Sequence, residues 1–524
     1  MSGGAAPAAP LVARAVAWRS AVPSVAALAG VMVLAVAVRL VRLADDPIWL
    51  DEAATLGIAR MDWTTIFGPM AAAESSPPGF YALAKLWLGL WGESIVALRL
   101  LTVLAGVAVI VPVWLLGRAA GGQRVAWVAA LLVALAATHV RFSQDGRVYT
   151  MLFLVTALAM LCAVSLVGWA QKDRRARLAA IGLGMSLAAG LWLHATAVFV
   201  VVGVNAFVLA GLSLRPEMLR RGLALLLLAD LVALVLAAAP LGAMLRHVLT
   251  AQAYIDRWIE APGLLDVVRV YGRTLVAPFL GPLSPWVLLM QLALLGVVAW
   301  HWWRTREPLV AAMAAMLAVV AVLVPAVSQF SPVFIDRTVL FLLLPLAVLL
   351  AKGVALLPGW PGLAVAAVLL ASQAWGVVGW HLVEHRKERW DLVAAVLQER
   401  MKPGEKVILT ESAFLEISLT AHLRALGAAV PGIYIVPPHS PLERLAAAEL
   451  MVDRTLSVDE VCDVVAPPAS VWLVFRDQPS IVDHDEGFTT RELVRAALRD
   501  LGGERLEHHL GVATELDRWH LESC

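Results

Sequence analysis

Two adjacent carboxylates, Asp51 and Glu52, stand in the run Trp49-Leu50-Asp51-Glu52-Ala53, shortly after a long apolar segment. Charge beside apolar chain is costly unless it is paired or used, which makes this pair a candidate for chemistry. One carboxylate next to an aromatic ring could take the proton from an acceptor hydroxyl. The competing reading is that Asp51 caps a short helix through Glu52, Ala53 and Ala54, because Asp is a favoured N-cap. The same segment continues to Glu74-Ser75-Ser76-Pro77-Pro78-Gly79-Phe80-Tyr81, where the prolines halt one element and start the next. Further on, Ser143-Gln144-Asp145-Gly146-Arg147-Val148-Tyr149 joins two apolar runs through a turn too short to carry its charges away from the bilayer surface. Asp145 and Arg147 either pair as an interfacial anchor or face a ligand. His194 closes Leu191-Trp192-Leu193-His194 and is either a packed histidine or a ligand contact. In Phe334-Ile335-Asp336-Arg337, the permanently charged fork of Arg337 either holds a phosphate at headgroup depth or snorkels as a helix anchor.

The elements that position these residues lie in a bilayer. Of 524 residues, 60% are hydrophobic and 15% charged, against roughly 45–50% apolar in soluble domains. Runs of about 20 residues, enough to cross a bilayer, fall at 21–38, 96–117, 125–142, 150–170, 178–193, 195–213, 222–244, 276–300, 308–327, 338–357 and 361–380, or about eleven spans. The first is too long for a signal-peptide core of about 7–15 residues. Basic residues gather in alternate short loops: Arg118 with Arg124, the Lys172 to Arg177 cluster, Arg215 with Arg220 and Arg221, and Arg304 with Arg306. Those loops face the cytoplasm by the positive-inside rule. The segment 42–95, the turns 143–149 and 328–337, the segment 245–275 and everything after about 381 then face outward, with the N-terminus inside. A net charge of +1 supplies no basic field for nucleic acid. Three cysteines at 162, 462 and 524 are too few and too scattered for a disulfide framework or a zinc site.

From His381 hydropathy drops. Residues 387–400, 411–427 and 487–502 have helical periodicity, and 406–410, 433–436 and 470–475 read as buried strands. The expected architecture is a mainly α, polytopic membrane domain over 1–380, with the outer loop 42–95, followed by a small α/β extracytoplasmic domain over 381–524.

The order of the pieces resembles the GT-C class of glycosyltransferases, specifically the family that contains protein O-mannosyltransferases and the lipid A aminoarabinose transferase. It is carried by Trp49-Leu50-Asp51-Glu52-Ala53, Pro77-Pro78-Gly79-Phe80-Tyr81, Leu98-Arg99-Leu100, Phe142 through Tyr149, Leu193-His194, Arg337 and Glu388-Arg389-Trp390-Asp391. The resemblance implies an enzyme that moves a sugar from a polyprenyl-phosphate donor to a protein, lipid A or envelope-glycan acceptor at the outer face of a bacterial inner membrane. It implies Asp51 as general base with Glu52 as the second catalytic acid, and Glu74, Tyr81, Asp145, Arg147, Tyr149, His194 and Arg337 as substrate-binding residues. The phosphate is a serviceable leaving group, so orientation and charge stabilisation carry the reaction. No nucleotide cofactor is expected, since lipid-linked donors are reached from outside. Relatives often carry His or Lys just before the Pro-Pro pair. Ser75-Ser76 stands here instead, so a divalent metal is possible but its ligands are unassigned.

A lipid or solute transporter is the alternative from another class. It would favour inverted repeats and midplane charges, whereas these polar residues gather at one face and the sequence shows no convincing repetition. A membrane scaffold that has lost activity is a third reading, against which intact Asp51 and Arg337 argue.

Overall fold

The computed structural model describes residues 22–74, 76–169, 173–250, 259, 261–276, 281–382, 387–410, 412–437, 441–451, 454–465, 468–476, 490–511 and 514–522. The chain divides into two compact units, one of Met1–Val41, Arg99–Gly242 and Ala261–Leu382, the other of Arg42–Leu98, Ala243–Glu260 and Val383–Cys524. They are called here the membrane unit and the tail unit.

Among the described residues, six helices are long and apolar enough to cross a bilayer: Ile95–Gly121, Tyr149–Gly168, Arg174–Leu193, Ser284–Thr305, Pro308–Val327 and Gly359–Leu382. Two further pairs are bent, Gln123–Leu135 with Ala137–Ser143 by 54° and Pro216–Leu236 with Ala238–Arg246 by 68°. Val25–Leu40, Ala197–Ser213 and Leu340–Leu356 are shorter apolar helices. Such a set of apolar helices makes this an integral membrane protein.

Both bends have local causes. Pro240 has no N–H for the Leu236 carbonyl and its ring crowds that position, so the helix breaks there. The Trp192 indole donates to the freed Leu236 oxygen at 2.9 Å. The other break, at Ala136, frees carbonyls that the Arg39 guanidinium takes up, at 3.0 Å from Ala134 O and 3.4 Å from Val133 O. A side chain inserted into the helical ladder is a recognised source of such kinks. Gly106 makes the site possible: a Cβ there would collide with the Ser143 side chain and come within 3.2 Å of Arg39 Nε.

In the tail unit, five strands form one sheet of order β2-β1-β3-β5-β4: β1 Lys406–Leu409, β2 Gly432–Ile435, β3 Ala469–Phe475, β4 Glu504–Gly511 and β5 Thr514–Leu521. The first three are parallel, with Val407 level with Ile433 on one side and Trp472 on the other, and β5 runs antiparallel to both β3 and β4. Helices Trp390–Arg400, Leu415–Ala425 and Thr490–Asp500 occupy the regions that periodicity marked as helical. The hairpin of β4 and β5 was not foreseen, because its strands carry charges that mask the alternation. Ile408, Val471, Leu473, Phe475, Val494, Leu498, Trp519 and Leu521 build the core beneath the sheet.

The charges on that hairpin have their own logic. Glu507 accepts from Arg400 at 2.8 Å, from Arg518 at 3.0 Å and from His509 at 3.1 Å. The Arg400 hydrogen bond first, with His509 and Arg518 behind it, holds the carboxyl down at about 2 from an ordinary 4.5. A depressed carboxylate stabilises the fold above its unfolded pKa, and that contribution disappears as pH falls through the folded value. The difference in melting temperature between the wild-type protein and Glu507→Gln should therefore be full above about 4.5 and shrink towards about 2. A difference that is flat across this window would show the network to be thermodynamically silent.

Candidate active site

In the membrane unit the turn after helix Ala137–Ser143 is fastened from several sides. Arg39, fully buried, donates through Nε to Ser143 Oγ at 3.1 Å and through Nη2 to His139 Nδ1 at 2.8 Å. Gln144 Nε2 donates to the carbonyls of Arg39 and Val41, and Trp380 Nε1 donates to Gln144 Oε1 at 2.7 Å. Thr102 Oγ1 holds the Ser143 carbonyl at 2.9 Å. Polar groups buried at this depth are satisfied in this way because an unmet hydrogen bond is expensive in an apolar medium.

What the turn presents is an aromatic and cationic group. The Tyr149 ring lies 5.8 Å from that of His194 and 5.4 Å from that of Phe142. The Arg337 guanidinium stands 5.7 Å from the centre of the Tyr149 ring. Arg147 and Arg337 both lie close enough to His194 for their charges to act on it. With burial as the larger cause, they push its imidazole well below the ordinary range. His194 is thus neutral. Its Nδ1 accepts the Thr196 N–H at 3.2 Å, which leaves the proton on Nε2. Asp145 is buried, and its carbonyl accepts the Arg147 N–H at 2.7 Å. Arg141 pairs with Asp336 at 3.1 Å, and Asp336 Oδ1 accepts the Arg337 N–H at 2.9 Å, fixing where that residue begins. Four residues singled out from sequence, Arg147, Tyr149, His194 and Arg337, are therefore one cluster. Two fixed guanidinium charges, a neutral imidazole and a phenol make a surface suited to a phosphate.

The carboxylates belong to the tail unit. Asp51 and Glu52 sit in the first turn of helix Leu50–Arg60, whose N-cap is Trp49. Asp51 is consequently not the N-cap of a short helix, and the capping alternative falls. Anionic side chains in a first turn also suit the helix dipole. The helix is held at both ends. At its start, Glu388 Oε2 accepts the Leu50 N–H at 3.2 Å and the Trp390 indole N–H at 2.7 Å, while Glu388 Oε1 meets Arg476 at 2.7 Å. At its end, Lys85 Nζ donates to the carbonyls of Ala59 at 3.1 Å and Met61 at 2.8 Å. Glu52 has no exposure and is paired with Lys387 at 3.1 Å, whereas Asp51 keeps partial exposure. Glu74 Oε1 accepts the Ser76 N–H at 3.1 Å, and Tyr81 is 2% exposed, its ring beside Phe80.

Residues 75–242 match the family described as dolichyl-phosphate-mannose-protein mannosyltransferase. Over the whole length, the fold is similar to that of ArnT from Cupriavidus metallidurans in the apo state, with a TM-score of 0.61, 13% identity, and 95% of this chain and 98% of that chain covered. The chain has the GT-C glycosyltransferase fold. The same ArnT bound to undecaprenyl phosphate gives a TM-score of 0.59 at 15% identity, with the same coverage. The Archaeoglobus fulgidus oligosaccharyltransferase, tethered with an acceptor peptide containing the NVT sequon, gives 0.52 at 12% identity, covering 88% of this chain and 70% of that one. No curated protein matches the chain.

Three residues were missed by sequence reasoning: Arg39, which braces the turn after Ser143 in the membrane unit, and Lys387 and Arg476, which brace the start of helix Leu50–Arg60 in the tail unit. Arg39 had a signal, an arginine at the very end of an apolar run. Lys387 and Arg476 had none, since their partners are distant in the chain. Among the described residues, His508, Glu515 and Asp517 form the grouping of metal-ligand type. Arg495 already engages both carboxylates, and a cation there would have to displace it.

Proposed function

We propose that this chain is a membrane glycosyltransferase that moves a sugar from a polyprenyl-phosphate donor to an acceptor outside the cytoplasm. The observation that carries the proposal is the cluster of Arg147, Tyr149, His194 and Arg337 on a GT-C fold, a phosphate-type surface at a membrane turn. Relatives in fold include one structure holding undecaprenyl phosphate and another holding an acceptor peptide, which supports a lipid-linked donor for this chain. Peptide, lipid A and envelope glycan are the acceptor classes to test.

In this reading Asp51 takes the acceptor's proton, the acceptor oxygen bonds to the anomeric carbon, and the bond from that carbon to the phosphate oxygen breaks. The electron pair leaves on the phosphate, where Arg337 and Arg147 balance its charge and Nε2–H of His194 offers a neutral donor. One carboxylate and a displaced phosphate fit a single displacement with inversion. Asp145 contributes by seating Arg147. Glu52, buried against Lys387, and Tyr81, buried beside Phe80, support the carboxylate segment in this reading. Glu74 fixes the turn before Pro77. In this reading the six long apolar helices, the two bent pairs and the three shorter helices each cross once, about eleven spans in a bacterial inner membrane, with the N-terminus cytoplasmic and the tail outside, as the basic residues in alternate loops support.

The test is donor affinity. Losing charge-assisted hydrogen bonds worth about 1.5–3 kcal/mol should weaken binding roughly 10- to 150-fold. Arg337→Met should do this for polyprenyl phosphate, measured by competition in nanodiscs, and Arg337→Lys should recover part of it. Unchanged affinity would remove Arg337 from the donor site. Turnover measured after chelation and with divalent cations restored decides whether a metal takes part.

A further inference from the structure

The tail sheet has a topological switch point. Its parallel strands run in the order β2-β1-β3, so the chain leaves β1 to one side for β2 and returns on the other for β3. In open α/β sheets, ligands bind in the crevice beyond the carboxyl ends of the strands at such a point. Here the segments that leave those ends grip residues 48–57 of the chain itself.

Arg476 directly follows β3 and pairs with Glu388, which in turn accepts the Leu50 N–H. Phe414, in the segment after β1, is pressed so closely on helix Leu50–Arg60 that a Cβ on Gly57 would lie 2.7 Å from its ring. His422, on the helix after β1, accepts the Ile48 N–H at 3.4 Å. Lys387 and Glu52 form an ion pair beside Glu388, at 3.1 Å. Three contacts thus converge on the start of the helix that carries Asp51, at Ile48, Leu50 and Glu52, and Phe414 packs on its later part at Gly57.

We infer that Glu388 and Arg476 are positioning residues for Asp51, and that the ligand crevice of the tail sheet is used to hold the catalytic helix. The inference rests on Asp51 being the base. Glu388 is suited to the task. One of its oxygens takes the first helical N–H, which has no partner inside the helix, and the other is locked by a guanidinium. The tail thereby fixes the height and rotation of the first helical turn, and Asp51 is part of that turn. Displacing a reacting group by about 1 Å can cost about 100-fold in rate.

The experiment compares the full-length wild type with Glu388→Gln and Arg476→Gln in nanodiscs by two readouts. Hydrogen exchange reports amides 48–57 against β1 and β3. Steady-state kinetics with a panel of polyprenyl-phosphate sugars reports kcat and the donor KM. The expected result is faster exchange confined to 48–57, with kcat lowered by about 100-fold and the donor KM within about twofold of wild type. Glu388→Asp should recover part of kcat. Unchanged exchange at 48–57, loss of protection across β1 and β3 as well, or unchanged kcat would each overturn the inference. If the wild type consumes no donor of any kind, the proposed function fails. The exchange data then decide alone whether the clasp exists.

Discussion

Asp51→Asn is expected to lower turnover by about 10²–10⁴-fold, the usual worth of a positioned general base. The amide keeps the size of the side chain and its place in the first turn of helix Leu50–Arg60, while removing the ability to take a proton. Affinity for polyprenyl phosphate should not change, because the phosphate is assigned to Arg147, His194 and Arg337. A fall in kcat with unchanged donor affinity is therefore the signature. Donor consumption by Asp51→Asn at the wild-type rate would end the assignment, and equal losses of binding and turnover would move Asp51 from base to binding group.

Lys387→Met should be the most damaging substitution for stability. It removes the ammonium partner of Glu52, a carboxylate with no exposure, and breaking one side of a buried ion pair costs roughly 3–5 kcal/mol. Thermal or denaturant unfolding of the full chain in nanodiscs would show it, and Lys387→Arg should retain most of the stability. A neutral outcome would mean that Glu52 is already protonated in the folded protein. Either result bears on Glu52: a resemblance of sequence put it beside Asp51 in the chemistry, and burial against Lys387 argues for support.

The membrane helices were legible because a bilayer imposes a simple requirement, a run of apolar residues long enough to cross it. What sequence could not supply was their internal breaks. The Ala136 bend depends on Arg39 reaching the carbonyls of Val133 and Ala134 from another helix. The Leu236 bend had its Pro240 in plain view, but the Trp192 indole that accommodates it comes from elsewhere. The parallel strands of the tail were readable as apolar runs. The hairpin of β4 and β5 was not, because Glu507, His508, Asp517 and Arg518 find their partners across the sheet and not along the chain.

The candidate site divides in the same way. Residue type and local spacing marked Asp51, Asp145, Arg147, Tyr149, His194 and Arg337 as candidates, since charged and polar groups beside apolar spans stand out, and the resemblance to the GT-C class supplied their expected roles. Tertiary structure alone decided that Arg147, Tyr149, His194 and Arg337 form one cluster, and that Asp51 lies inside a helix and does not cap one. It also decided that Glu52 is sealed against Lys387 and that Glu388, paired with Arg476, holds the first N–H of helix Leu50–Arg60. The physical reason is range. Hydropathy and helix signals act over neighbouring residues and are written in the sequence, whereas ion pairs and buried hydrogen bonds join groups that meet only after the chain has folded.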